Sequence, residues 1–195
     1  MKRLILMGGR PWFGEDGGKR FVDTLFRYYP KEVKLAFCIF AQPESDWEET
    51  RAVNMNMFDK FKGGRHVECQ TMTDENFAEI SAWSDIIYIP GGSTDTLAAR
   101  LRKHGNIAAL WDGKMIAGSS AGANFMCEGF IYLDKKTYNR GLGWVKATSI
   151  PHWRSNYNNY TDEDWDSLEQ QALSEAPGTP VLCIPESEFV EFTVA

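Results

Sequence analysis

The sequence predicts an α/β fold: a single doubly wound, mostly parallel sheet with helices on both faces, with residues 1–195 forming one domain. Three observations predict it. Short, nearly continuous apolar runs at 33–41, 85–90 and 115–119 read as strands buried on both faces. Segments with helical spacing alternate with those runs. Glycines follow strand carboxyl ends, at Gly8-Gly9, at Gly91-Gly92 and on either side of Ser120, at Gly118 and Gly122. Open α/β sheets place their sites at those ends.

Taken in order, residues 3–7 are a first strand running into Gly8-Gly9. Residues 19–29 are helical, with Phe21, Leu25, Tyr28 and Tyr29 on one face. The strand at 33–41 follows. A helix then opens at Pro43-Glu44-Ser45-Asp46, with proline and acids in its first turn, and runs to Phe61 before Gly63-Gly64. A weaker strand at 66–72 and a short helix at 74–84 lead to the strand at 85–90. After Gly91-Gly92-Ser93-Thr94 come helical segments at 95–104 and 107–111. Beyond Gly129 the pattern changes. Strands are expected at 130–133 and 142–150, joined by a polar link at 134–140. A polar loop at 155–164 precedes a helix at 165–176, a strand at 180–184 and one more strand at 189–194.

Composition narrows the function. A net charge of −6 disfavours a nucleic-acid partner. No apolar run approaches the roughly 20 residues of a membrane-spanning helix. The basic start is followed by only four apolar residues before Gly8-Gly9, which reads as a strand and not as a secretion signal. The four cysteines form no C-x-x-C pair, and Cys38 and Cys183 sit in apolar runs, so reduced core cysteines in a cytoplasmic protein are expected. No spacing of His, Cys or carboxylates suggests a metal, and no cofactor is expected.

The chemistry centres on Gly118-Ser119-Ser120-Ala121-Gly122, where a buried strand hands over to a helix. Small residues at Gly118 and Gly122 allow the sharp bend that exposes a serine hydroxyl. A tight turn with an N-cap serine would look similar in isolation. A serine nucleophile needs a base. Of the three histidines, His66 and His104 read as solvated surface residues, whereas His152 closes a strand-like run and shares the sheet edge with Ser120. The base needs an acid partner. Glu186, directly after a core strand, has the stronger case, and Asp134 is the alternative. Oxyanion donors would be the backbone N–H of Ala121 and one from the glycine turn at Gly92.

Pro90-Gly91-Gly92-Ser93-Thr94, Gly118 to Asn124 (Gly-Ser-Ser-Ala-Gly-Ala-Asn), Pro151-His152 and Pro185-Glu186 occur in an order that resembles the dipeptidase E and cyanophycinase family of serine peptidases. The resemblance spans essentially the whole chain. It implies a flavodoxin-like sheet similar to class I glutamine amidotransferases, with serine at the elbow. It also implies a triad of Ser120, His152 and Glu186, with Gly92 and Ala121 as oxyanion donors. Asp134 lies near the position of an aspartate implicated in some members. Two departures stand out: Gly92-Ser93 replaces the end of the usual Gly-Gly-Gly-Asn, and the chain ends soon after Glu186. The implied substrate is a small peptide, in some members of the family one begun by an aspartyl residue. A cation would have to read that residue, and Arg154 is the candidate. An esterase or amidase of non-peptide substrates, or a non-catalytic binding protein on the same fold, is the alternative. A homo-oligomer is left open.

Overall fold

The computed structural model describes residues 1–194. Strand β1 (Lys2–Met7) is followed by α1 (Lys19–Leu25), β2 (Glu32–Phe37), α2 (Trp47–Phe61), β3 (His66–Thr71), α3 (Phe77–Trp83) and β4 (Ile86–Ile89). Helices α4 (Thr94–Arg102) and α5 (Ile107–Leu110) then lead into β5 (Met115–Ser119). These strands and a late strand, β10 (Phe189–Val194), form a six-stranded sheet in the order β10-β1-β5-β4-β2-β3. All its pairings are parallel except β1 with β10.

Alternation along the strands explains why both faces are covered. Leu4 and Leu6 of β1 join one core cluster, with Phe77, Leu97 and Leu101 from the helices and Trp111 just after α5. Ile5 and Met7 face the other way, into a cluster with Phe21, Leu25, Phe26 and Phe58 of the α1–α2 side.

The remaining strands do not extend this sheet. Helix α6 (Ala121–Met126) has only six residues and gives way at once to β6 (Cys127–Tyr132). A parallel return into the first sheet needs a crossover of about a dozen residues. Strands β6, β7 (Thr137–Arg140), β8 (Val145–Pro151) and β9 (Val181–Ile184) instead make a second sheet in the order β7-β6-β8-β9. The α/β class with mostly parallel strands therefore holds, but the strands divide between two sheets and do not form one. Helix α7 (Asp162–Glu175) covers the second sheet through Trp165, Leu168 and Ala172.

The other differences are local. The polar link at 134–140 holds strand β7, paired antiparallel to β6 at the sheet edge, where polar side chains are tolerated. Lys136, at φ 49°, makes the tight reversal between them. Helix α1 stops at Leu25, short of Tyr29. Helix α7 starts earlier than its apolar pattern, because Thr161 and Asp164 form a reciprocal capping box.

Candidate active site

The carboxyl ends of the neighbouring strands β1, β5 and β4 bring Gly8-Gly9, Ser120 and Gly91-Gly92 together. Ser120 is held at φ 48°, ψ −99°, a strained conformation between β5 and α6. The bend is possible because strand and helix nearly touch. A Cβ on Gly118 would lie 2.4 Å from the Gly122 carbonyl carbon, and one on Gly122 would lie 2.8 Å from the Ile89 oxygen.

Three successive carbonyls at the end of β1 fix the site's backbone. The Met7 carbonyl accepts from Ser120 N–H at 2.9 Å, Gly8 from His152 N–H at 2.8 Å, and Gly9 from Ser187 N–H at 2.8 Å. These bonds place the end of β5, the end of β8 and the turn after β9 around one strand terminus. Asn124 adds a side-chain tie from α6 to the second sheet, accepting from the Ser149 hydroxyl at 2.8 Å.

The side chains then form a line. Ser120 Oγ lies 3.0 Å from His152 Nε2, and His152 Nδ1 lies 2.8 Å from Glu186 Oε1. An ionised carboxylate only accepts, so Nδ1–H donates to Glu186 and Nε2 is left to accept from the serine hydroxyl. His152 is only 7% exposed. Burial holds its pKa below the ordinary histidine value; the hydrogen bond and charge of Glu186 oppose that, and Arg10 reinforces it. The imidazole is thus neutral and ready to accept a proton near neutral pH.

Gly91 and Gly92 lie beside the serine. The Gly91 carbonyl accepts from Gln42 Nε2 at 2.7 Å. The N–H and C=O of one trans peptide point in opposite directions, so Gly92 N–H is aimed away from Gln42. Gly92 has φ 139°, and a Cβ there would lie 2.4 Å from the Ala41 oxygen. Among the described residues, neither Gly92 N–H nor Ala121 N–H donates to a protein acceptor. A recess of about 30 Å³, large enough for one water-sized group, is lined by Gly92, Ser120 and Asn124.

Ser120 and His152 open into a cleft of about 540 Å³. Asp134 lines it but does not touch His152. It accepts from the Tyr157 hydroxyl at 3.0 Å and from Asn158 Nδ2 at 3.1 Å. Tyr157 in turn stacks on the His152 ring, with centroids 4.6 Å apart. Burial and the nearby Asp134 push the Tyr157 phenol up to about 12, so it remains a donor.

Arg154 is elsewhere. Its guanidinium pairs with Asp162 at 2.7 Å and Asp166 at 2.6 Å, tying the loop to α7 on the exposed side. The expectation that Arg154 faces the substrate is therefore corrected. His152, two residues before it, turns inward, whereas the pairs with Asp162 and Asp166 hold the Arg154 side chain toward α7, and it does not line the cleft. The cation that lines the cleft is Arg10, whose Nη1 lies 3.6 Å from Glu186 Oε1. Sequence reading missed it, although Gly8-Gly9 marked this strand end like the other two glycine turns. A hollow of about 630 Å³ between α4 and β7 contains none of the expected catalytic residues. Among the described residues, no group of three or more His, Cys, Asp or Glu is disposed to hold a metal ion. Among the described residues, no helix is long and apolar enough to cross a membrane.

The sequence model of Peptidase family S51 matches residues 4–193. The chain belongs to peptidase family S51. A crystal structure of a candidate peptidase E from Listeria monocytogenes EGD-e shares the fold, with a TM-score of 0.63 at 18% identity over 100% of both chains. No curated protein matches the sequence. As a member of S51, this chain is a serine peptidase with an α/β fold, and its substrates are peptides.

Proposed function

We propose that this S51 peptidase hydrolyses small peptides through Ser120 as nucleophile, His152 as general base and acid, and Glu186 as the acid that orients His152. The observation that carries the reading is the unbroken hydrogen-bonded line from Glu186 through His152 to Ser120, opening into a cleft. Ser120 Oγ attacks the scissile carbonyl carbon while its proton passes to His152 Nε2. Gly92 and Ala121 N–H groups take the oxyanion. The intermediate collapses as Nε2 returns the proton to the leaving amine, giving an acyl-enzyme on Ser120. Water repeats the sequence and frees the acid.

Asp134 acts at one remove in this reading, holding Tyr157 against the imidazole. Residues 1–195 act as one domain, because the nucleophile comes from one sheet and the base from the other. Four free cysteines agree with a cytoplasmic location. The experiment is labelling with a fluorophosphonate probe, followed by mapping of the modified residue. Modification at Ser120 supports an activated serine. Modification elsewhere, or none with peptides left intact, overturns the assignment and favours a binding protein on the same fold.

A further inference from the structure

The cleft holds a cation that the mechanism does not use. Among the residues lining it, Arg10 is the sole Lys or Arg; the other charged side chains are Glu49 and Asp134. Arg10 is also under-committed. Its guanidinium has only the 3.6 Å approach to Glu186 and rests 5.0 Å from the Phe13 ring. Its backbone is well held, because its carbonyl accepts from Phe13 N–H at 3.0 Å and from Ser187 Oγ at 3.1 Å. Its side chain is 41% exposed. A fixed stem with a partly solvated, unsaturated fork suits the capture of an incoming carboxylate.

Its side of the cleft identifies which carboxylate. The imidazole returns its proton to the leaving amine, so the leaving half of the substrate lies on the imidazole side of Ser120, with the oxyanion donors opposite. Arg10 is on that imidazole side. It follows Gly9, which packs against the His152 ring, and its guanidinium approaches the acid behind that ring. Resting on the serine-peptidase reading of the cleft, we infer that Arg10 anchors the free carboxylate of the leaving amino acid, so that the preferred scissile bond is the one before a C-terminal residue. A chain that continued past that residue would present a neutral amide to Arg10 in place of a charge.

The test compares leucine-terminated dipeptides, with Asp, Asn, Ala or Leu first, against the same peptides as C-terminal amides. Wild type, Arg10→Met and Arg10→Lys are assayed for kcat/KM by release of the free amine. The wild type should favour the acid over the amide by about tenfold or more, the scale of a charge-assisted hydrogen bond. Arg10→Met should bring that ratio close to one, and Arg10→Lys should keep part of it. A wild-type ratio near one, or a ratio unchanged in Arg10→Met even if both rates fall, overturns the inference; the latter result would mean that Arg10 acts only through Glu186. Fluorophosphonate labelling of the same three proteins separates the two claims. Labelling at Ser120 with an unchanged ratio removes the Arg10 role alone, whereas no labelling and no hydrolysis removes both.

Discussion

Gly9 lies against the His152 ring so closely that a Cβ added to it would sit 2.4 Å from Cε1 and 2.8 Å from Nδ1. The backbone there has φ +132°, which L side chains rarely adopt. Gly9→Ala should displace the imidazole from Ser120 and Glu186. We expect kcat/KM to fall by about 100-fold or more, the scale of an ångström-sized misplacement of a catalytic group. Circular dichroism should show the fold retained.

Ser120 trades stability for position. Its φ of 48° costs about 1–3 kcal/mol for a residue with a side chain. Ser120→Ala should abolish turnover and probe labelling while keeping the strain. Ser120→Gly should abolish them too, and should raise the melting temperature by about 2–4 °C per kcal/mol of strain relieved in a chain of this size. Calorimetry on the two variants separates the nucleophile from its strained backbone.

The pH profile follows from His152. In the proposed mechanism the neutral imidazole is the base, and burial holds its pKa below the ordinary value, so protonation sets in at lower pH than for an exposed histidine. The acid limb of kcat/KM should therefore have its midpoint below about pH 6.5. Glu186 favours the imidazolium, so Glu186→Gln should move the limb further to acid and lower kcat by about 1,000-fold or more. Arg10 disfavours the imidazolium, so Arg10→Met should move the limb the opposite way.

Tyr157 carries two separable contacts, the stack on His152 and the bond to Asp134. Tyr157→Phe keeps the stack and should cost about tenfold in kcat/KM, the scale of one hydrogen bond to a charged group. Asp134→Asn should have an effect of similar size. Tyr157→Ala loses both contacts and should cost clearly more than either. Steady-state kinetics with one peptide ranks the three variants.

The thiols should be inert. Burial pushes Cys38, Cys127 and Cys183 up to about 12 and Cys69 up to about 11, leaving almost no thiolate at neutral pH. Iodoacetamide at neutral pH should leave peptide hydrolysis unchanged, and mass spectrometry of the folded protein should show little alkylation.

Much of this was legible in the sequence because it rests on short-range rules. Alternating apolar runs gave the strands of the six-stranded sheet. The small residues Gly118 and Gly122 gave the elbow, and the strand-end positions of His152 and Glu186 brought them to the edge where Ser120 stands. The rest depends on what packs where. The second sheet follows from the shortness of α6, which periodicity does not measure. Strand β7 is polar because it is an edge, so its sequence reads as a loop. The sequence proximity of Arg154 to His152 says nothing about side-chain direction, which the distant partners Asp162 and Asp166 decide. Arg10 went unnoticed because its partners, Glu186 and Ser187, lie at the far end of the chain.

The run of carbonyls at Met7, Gly8 and Gly9 has an evolutionary consequence. It positions the backbone around the proposed nucleophile, base and acid without using a single side chain. The side chains that frame the cleft away from the imidazole stack (Arg10, Trp12 and Glu49) supply none of those three bonds. Substrate preference can therefore drift by exchange of these framing residues while the reaction machinery stays in register. A lineage built on this scaffold could acquire new diets without rebuilding its teeth.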